Sequence, residues 1–268
     1  MSTAATIVAL ACLFLPVVGR RLARARGAEP GWATLAFWAP LGMVALLISI
    51  FSMDVTSAAW PMATVQGGLR TLALLVCAGW MVLRRSERME AAGTILMAIV
   101  ALLVVTSLFD PVRAATPGSL GLFITIHLGL IFVGLGSFAL SFALSVLYLV
   151  QRSRLKSKQL EDIRELPSLD TLDRLNARTQ GMGFVALTVG VAMGFFMALN
   201  SETGRGLSGL TFWGTVSVWG WYAVGLQSRL MGGWRGRSAA VFGVVGFCAL
   251  SVIIGLAAVW QGGWHGTG

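Results

Sequence analysis

Eight apolar runs, separated by short clusters of arginine and lysine, limit this chain to one kind of structure. They lie at roughly 3–19, 32–53, 62–83, 91–109, 120–150, 181–200, 210–230 and 239–260. A bilayer core of about 30 Å is crossed by roughly 20 apolar residues in a helix, and a helix satisfies its own backbone polar groups in hydrocarbon. The expected fold class is therefore all-α, a polytopic membrane bundle of about eight transmembrane helices, with residues 1–268 forming a single transmembrane domain. Composition agrees, because 12% of the residues are charged where an ordinary soluble domain has about 25%. A cytosolic enzyme and a disordered chain are both excluded.

The first run is short and contains Pro16, but no basic residue precedes it, and Arg20, Arg21, Arg24 and Arg26 follow it. That order is the reverse of a secretory signal, so the run is read as a span.

The basic residues test the count independently, since lysine and arginine collect in cytoplasmic loops. Loop one carries the arginines at 20, 21, 24 and 26, and loop three Arg84, Arg85 and Arg88. Loop five carries Arg152, Arg154, Lys156, Lys158, Arg164, Arg174 and Arg178, and loop seven Arg229, Arg235 and Arg237. Only Arg70, Arg113 and Arg205 fall elsewhere, which predicts an eight-span protein with both termini outside. The formal charge of +9 is thus topological. Lipid, and no nucleic acid, is the implied macromolecular surface.

The fifth run exceeds one crossing, so its helix is expected to continue into the cytoplasm as LYLVQRSRLKSK. Beyond it Leu166, Leu169, Leu172 and Leu175 recur every three residues among charges, which predicts an amphipathic helix lying on the membrane surface. Gly190 with Gly194, and Ser137 with Ser141 and Ser145, have the spacing of close helix packing.

The span centres hold no ionisable residue. Asp54 and Asp110 fall at outer helix ends and Arg70 near one, so a proton-coupled transporter or pump is disfavoured. No phosphate-binding loop, zinc-protease motif or nucleophile triad is present, and the chain is not expected to be an enzyme. Cys12, Cys77 and Cys248 lie far apart in apolar runs and read as buried small residues.

The informative residues are the two histidines. His127 lies about seven residues into the fifth span, and His265 lies just beyond the eighth; the charge pattern puts both on the outer side. Each alone reads as a packing or solvent-facing residue. Together they are the chain's strong nitrogen ligands, and two neutral imidazoles can hold a haem iron between them. Most of the ten tryptophans fall near span ends, as an interfacial belt requires. Trp219 and Trp221 lie deeper, where flat rings either line a haem-sized cleft or fill the bundle.

At these residues the chain resembles the cytochrome c assembly family, the CcsA/HemX-like membrane proteins that handle haem. The resemblance covers roughly 120–268 and rests on IHLGLIFVGLGSFALSFALSVLYLVQRSRLKSK (126–158), LPSLDTLDRLNARTQGMGFVALTVGVAMG (166–194) and WGWYAVGLQSRLMGGWRGRSAAVFGVVGF (219–247). Residues 1–119 share only the family's hydrophobic pattern. By position His127 and His265 match the family's two external histidines, which implies haem b, bound non-covalently at the outer face with these residues as axial ligands. Trp213, Trp219 and Trp221 are the implied lining residues.

The chain departs from the family at two places. Full haem-ligating members carry a WGxWWxWD-like segment where this sequence reads NSETGRGLSGLTFWGTVSVWGW, and a histidine where this sequence has Gln227. The pattern is nearer the shorter HemX-like branch. The implied function is binding or presenting haem in c-type cytochrome biogenesis, with haem, apocytochrome c and other assembly membrane proteins as partners. Two alternatives stand beside it: a membrane regulator of a haem-biosynthetic enzyme acting through the basic 151–180 loop, and a small-molecule transporter.

Overall fold

The computed structural model describes residues 5–9, 11–12, 41–50, 65–84, 89–109, 122–157, 166–200 and 210–263. Among these residues every regular element is helical. Six helices carry the description: α1 (Val65–Leu83), α2 (Glu90–Phe109), α3 (Leu122–Lys156), α4 (Leu169–Leu199), α5 (Leu210–Met231) and α6 (Arg237–Gly263). Shorter helical stretches occupy 5–9, 11–12 and Leu41–Ile50. Four of the helices, α1 to α4, are long and apolar enough to cross a membrane. Most of the first two expected spans lies outside the described residues.

The chain divides into two compact units, Met1–Leu128 with Glu165–Pro167, and Gly129–Arg164 with Ser168–Gly268.

In the first unit α1 and α2 form an antiparallel hairpin. Ala73, Val76, Cys77 and Trp80 of α1 are buried, as are Leu96, Met97, Val100 and Val104 of α2. These positions recur at three- and four-residue spacing, so each helix buries one stripe. The indole of Trp80 sits where Gly93 lacks a side chain and donates from Nε1 to the Met89 carbonyl at 3.3 Å.

The second unit is an up-and-down four-helix bundle of α3, from Gly129 onward, with α4, α5 and α6. Each sequential pair runs antiparallel. Ile131 packs on Gly190, and Gly134 meets the Gly183 carbonyl, so α3 and α4 approach through missing side chains. Phe138 stacks on Tyr222 with ring centroids 3.5 Å apart, joining α3 to α5, and Phe142 stacks on Phe247 at 4.7 Å, joining α3 to α6. Phe138, Leu187, Val218, Tyr222 and Leu250 form the buried centre.

The expected overrun of the fifth span is present: α3 is one helix of 35 residues, about 52 Å at 1.5 Å per residue, far longer than a bilayer core. The surface helix is a correction. Leu169, Leu172 and Leu175 belong to the first turns of α4, which runs unbroken for 31 residues into the sixth apolar run. Pro167 precedes the cap, and Ser168 Oγ accepts from the Thr171 amide at 3.1 Å, so the helix begins there. Asp170 in that first turn favours the helix dipole. Leu172, Asn176, Thr179 and Gln180 are buried, so the amphipathic face packs on protein where a surface helix would lie on lipid.

Candidate functional site

His127 lies in the second turn of α3 and is half-buried. His265 lies outside the described residues, so the structure gives no geometry for the pair. Trp213, in the first turn of α5, is 59% exposed.

Trp219 and Trp221 are two residues apart on α5, which turns the second ring about 200° from the first. The structure does not bring them to one surface. Trp219 faces α4: its Nε1 donates to Thr188 Oγ1 at 2.9 Å, and its ring lies 5.8 Å from that of Phe184. Trp221 faces α6, stacks on Phe242 at 4.3 Å, and occupies the notch left by Gly246. Both rings fill helix interfaces. Each indole N–H has a partner, as a buried tryptophan requires.

A second constellation, which sequence reasoning missed, gathers where α3 ends, α4 begins, and α5 turns into α6. Arg229 NH2 meets Asp173 Oδ1 at 2.9 Å, and the same oxygen accepts the Gly236 amide at 3.1 Å. The two side chains are only 10% and 18% exposed, so this is an ion pair with little solvent screening. Gly236 adopts φ +63°, open to glycine, and a Cβ there would lie 2.5 Å from the Tyr148 hydroxyl. One turn further in, Ser141 Oγ donates to Asn176 Oδ1 at 2.6 Å.

Arg70 is a further case. It sits in the second turn of α1, near a helix end as the sequence placed it, yet it is 2% exposed. Its Nε donates to Ser107 Oγ at 3.2 Å and its NH1 to Ser49 Oγ at 2.9 Å; Ser49 in turn lies 2.7 Å from Thr6 Oγ1. Neutral hydroxyls therefore help hold a cation that water would otherwise solvate. A single arginine between apolar segments carried no signal of this.

The three stretches on which the resemblance rests contact one another throughout the second unit. The first meets the second through Ser141 and Asn176, and the third through Phe138 and Tyr222. The second meets the third through Asp173 and Arg229. Residues 62–265 match the family described as cytochrome C assembly protein, well over half of the chain. The chain belongs to the cytochrome c assembly protein family. It is similar to the cytochrome c biogenesis protein CcsA of Parasynechococcus marenigrum (strain WH8102), with 38% identity over 99 residues, which are 35% of this chain and 30% of that protein. Against CcsA of Chlorella vulgaris the identity is 35% over 113 residues, 38% of this chain and 34% of the relative. Against CcsA of Prochlorococcus marinus (strain NATL1A) it is 34% over 126 residues, 44% and 36% respectively. The matched stretches thus span about a third of the length of these relatives. A member of this family with four helices long enough to span among its described residues is a multi-pass membrane protein.

Proposed function

We propose that this family member binds or presents haem during c-type cytochrome biogenesis, in a bacterial cytoplasmic membrane, with both histidines on the outer face. The observation that carries the reading is the extent of the family match: residues 62–265 include His127 and His265, the chain's only two histidines. The relatives' name, cytochrome c biogenesis protein, supports the same process.

The donor chemistry fits haem. A haem iron takes two axial imidazoles, and two histidines are what the chain supplies. His127 is half-buried on a helix, which restricts its rotamers. Haem b, non-covalently held, would supply the vinyl groups to which the thiols of an apocytochrome add. The chain's part is to bind the iron, orient the macrocycle and keep it from water. Trp213, 59% exposed at the start of α5, is a candidate lining residue for a flat ligand, with Trp219 and Trp221. Covalent attachment needs the apocytochrome's own thiols, so the chain is read as an assembly factor without catalysis of its own.

The visible spectrum of the purified protein tests this, for wild type and for His127→Ala and His265→Ala under reducing conditions. A low-spin haem spectrum that either substitution abolishes is expected. A wild type that carries no haem and takes none up overturns the ligand assignment.

A further inference from the structure

The polar groups at the basic end of the second unit form a continuous seam. It begins at Arg229 and Asp173, passes Gly236 and the Tyr148 hydroxyl beside it, continues to Ser145 against Gly243, and ends at Ser141 bonded to Asn176. Tyr148, Ser145 and Ser141 are spaced by three and four residues, so they lie on one face of α3. Gln151 follows Tyr148 by three residues on the same face, and from Gln151 to Ser141 that face rises about 15 Å along the helix, three turns toward the bundle centre.

Three atoms along this seam have no hydrogen-bond partner: Arg229 Nε, Gln151 Oε1 and Ser145 Oγ. Ser145 is 0% exposed and Gln151 is 3% exposed, so neither meets bulk water. A serine in a membrane helix ordinarily returns its hydroxyl to the carbonyl one turn back, as Ser137 does to Val133 at 2.8 Å. Ser145 does not, and its oxygen points to Gly243, with Ser141 Oγ one turn away. A buried group left unpaired forfeits its full solvation energy, and such groups in native interiors are met by ordered water. The three atoms also differ in what they need: a guanidinium N–H only donates, an amide oxygen only accepts, and a hydroxyl does both. Water, which donates twice and accepts twice, is the small ligand that suits all three.

We propose that the seam from Arg229 to Ser141 holds bound water, admitted at the basic end of the bundle beside the Asp173–Arg229 pair. The seam is a hydrated polar track inside one half of the bundle, walled on the far side by the Phe138–Tyr222 stack. It is independent of the histidines and of whether the protein carries haem.

Water-edited solid-state NMR on the full chain in lipid bilayers reads this directly, because magnetisation passes from water only to nearby protein sites. Ser145, Ser141 and Gln151 are expected to build up signal several-fold faster than Leu96 and Val104, fully buried apolar positions of α2. Build-up at Ser145 as slow as at Leu96 overturns the proposal. Ser145→Val supplies a second arm that keeps the helical fold: it is expected to slow the transfer at Ser141 and Gln151. Unchanged transfer at both sites in a variant of unaltered helicity shows that water there does not depend on the seam, and also overturns it.

Discussion

Asp173 Oδ1 is shared by Arg229 NH2 at 2.9 Å and the Gly236 amide at 3.1 Å, so one carboxylate oxygen ties α4 to both ends of the α5–α6 turn. The guanidinium also reaches the Asp173 carbonyl at 3.4 Å. Asp173 lies one turn into its helix, and Arg229 lies in the last turn of its own, where its charge also opposes the local helix dipole favourably.

Replacing Asp173 by asparagine keeps the shape and an acceptor for Gly236 but removes the charge that pairs with a nearly buried guanidinium. The expected loss is about 2–4 kcal/mol, near the cost of breaking a buried pair. Thermal unfolding in detergent measures it. A midpoint unchanged from wild type would show that Arg229 finds equivalent solvation without Asp173.

Gly236 and Gly233 share a φ of +63°, but only Gly236 has a neighbour in the path of a Cβ. Gly233→Ala should therefore cost about 1 kcal/mol, the left-handed penalty alone. Gly236→Ala should cost more, and Tyr148→Phe in the same chain should restore part of the difference, because it removes the hydroxyl that the new methyl would meet. A double-mutant cycle on unfolding midpoints checks the coupling. Equal losses at the two glycines, with no rescue, would contradict it.

Trp219 and Trp221 should respond unequally to phenylalanine. The bond from Trp219 to Thr188 is 2.9 Å, whereas that from Trp221 to the Phe242 carbonyl is 3.4 Å. Trp219→Phe is expected to lose about 1 kcal/mol and Trp221→Phe roughly half as much from the hydrogen bonds. Since the rings face different helices, the double variant should show the sum. Calorimetry of the three proteins distinguishes this from a shared cleft, in which the two losses would interact.

The helices from 62 onward could be read from the sequence because a bilayer imposes a length on every apolar run, and α1 to α6 fall within or overlap those runs. The overrun of α3 was legible for the same reason, since 126–158 holds no proline to stop it. The start of α4 was not. Leucines every third residue fit a helix lying on lipid and equally one whose first turns are packed on another helix, and only the buried Asn176 and Gln180 decide between them. The Asp173–Arg229 pair spans 56 residues, and neither residue differs in type or neighbourhood from the other basic-loop charges. For Trp219 and Trp221 depth was legible but direction was not. Their partners depend on how α5 is rotated, which no single helix encodes. His127 could be named from its rarity among ligand-forming residues, whereas Arg70 looked like a stray surface charge because its serine partners come from two other apolar segments.

The length of α3 has a mechanical meaning. From Gly129 to Lys156 the hydrogen-bond ladder of the helix is continuous and holds no proline, so a movement of its basic end is passed along the second unit and not lost at a kink. Whatever engages Arg152 to Lys156 acts on a handle, and the far arm of that lever is the aromatic stack at Phe138 and Tyr222.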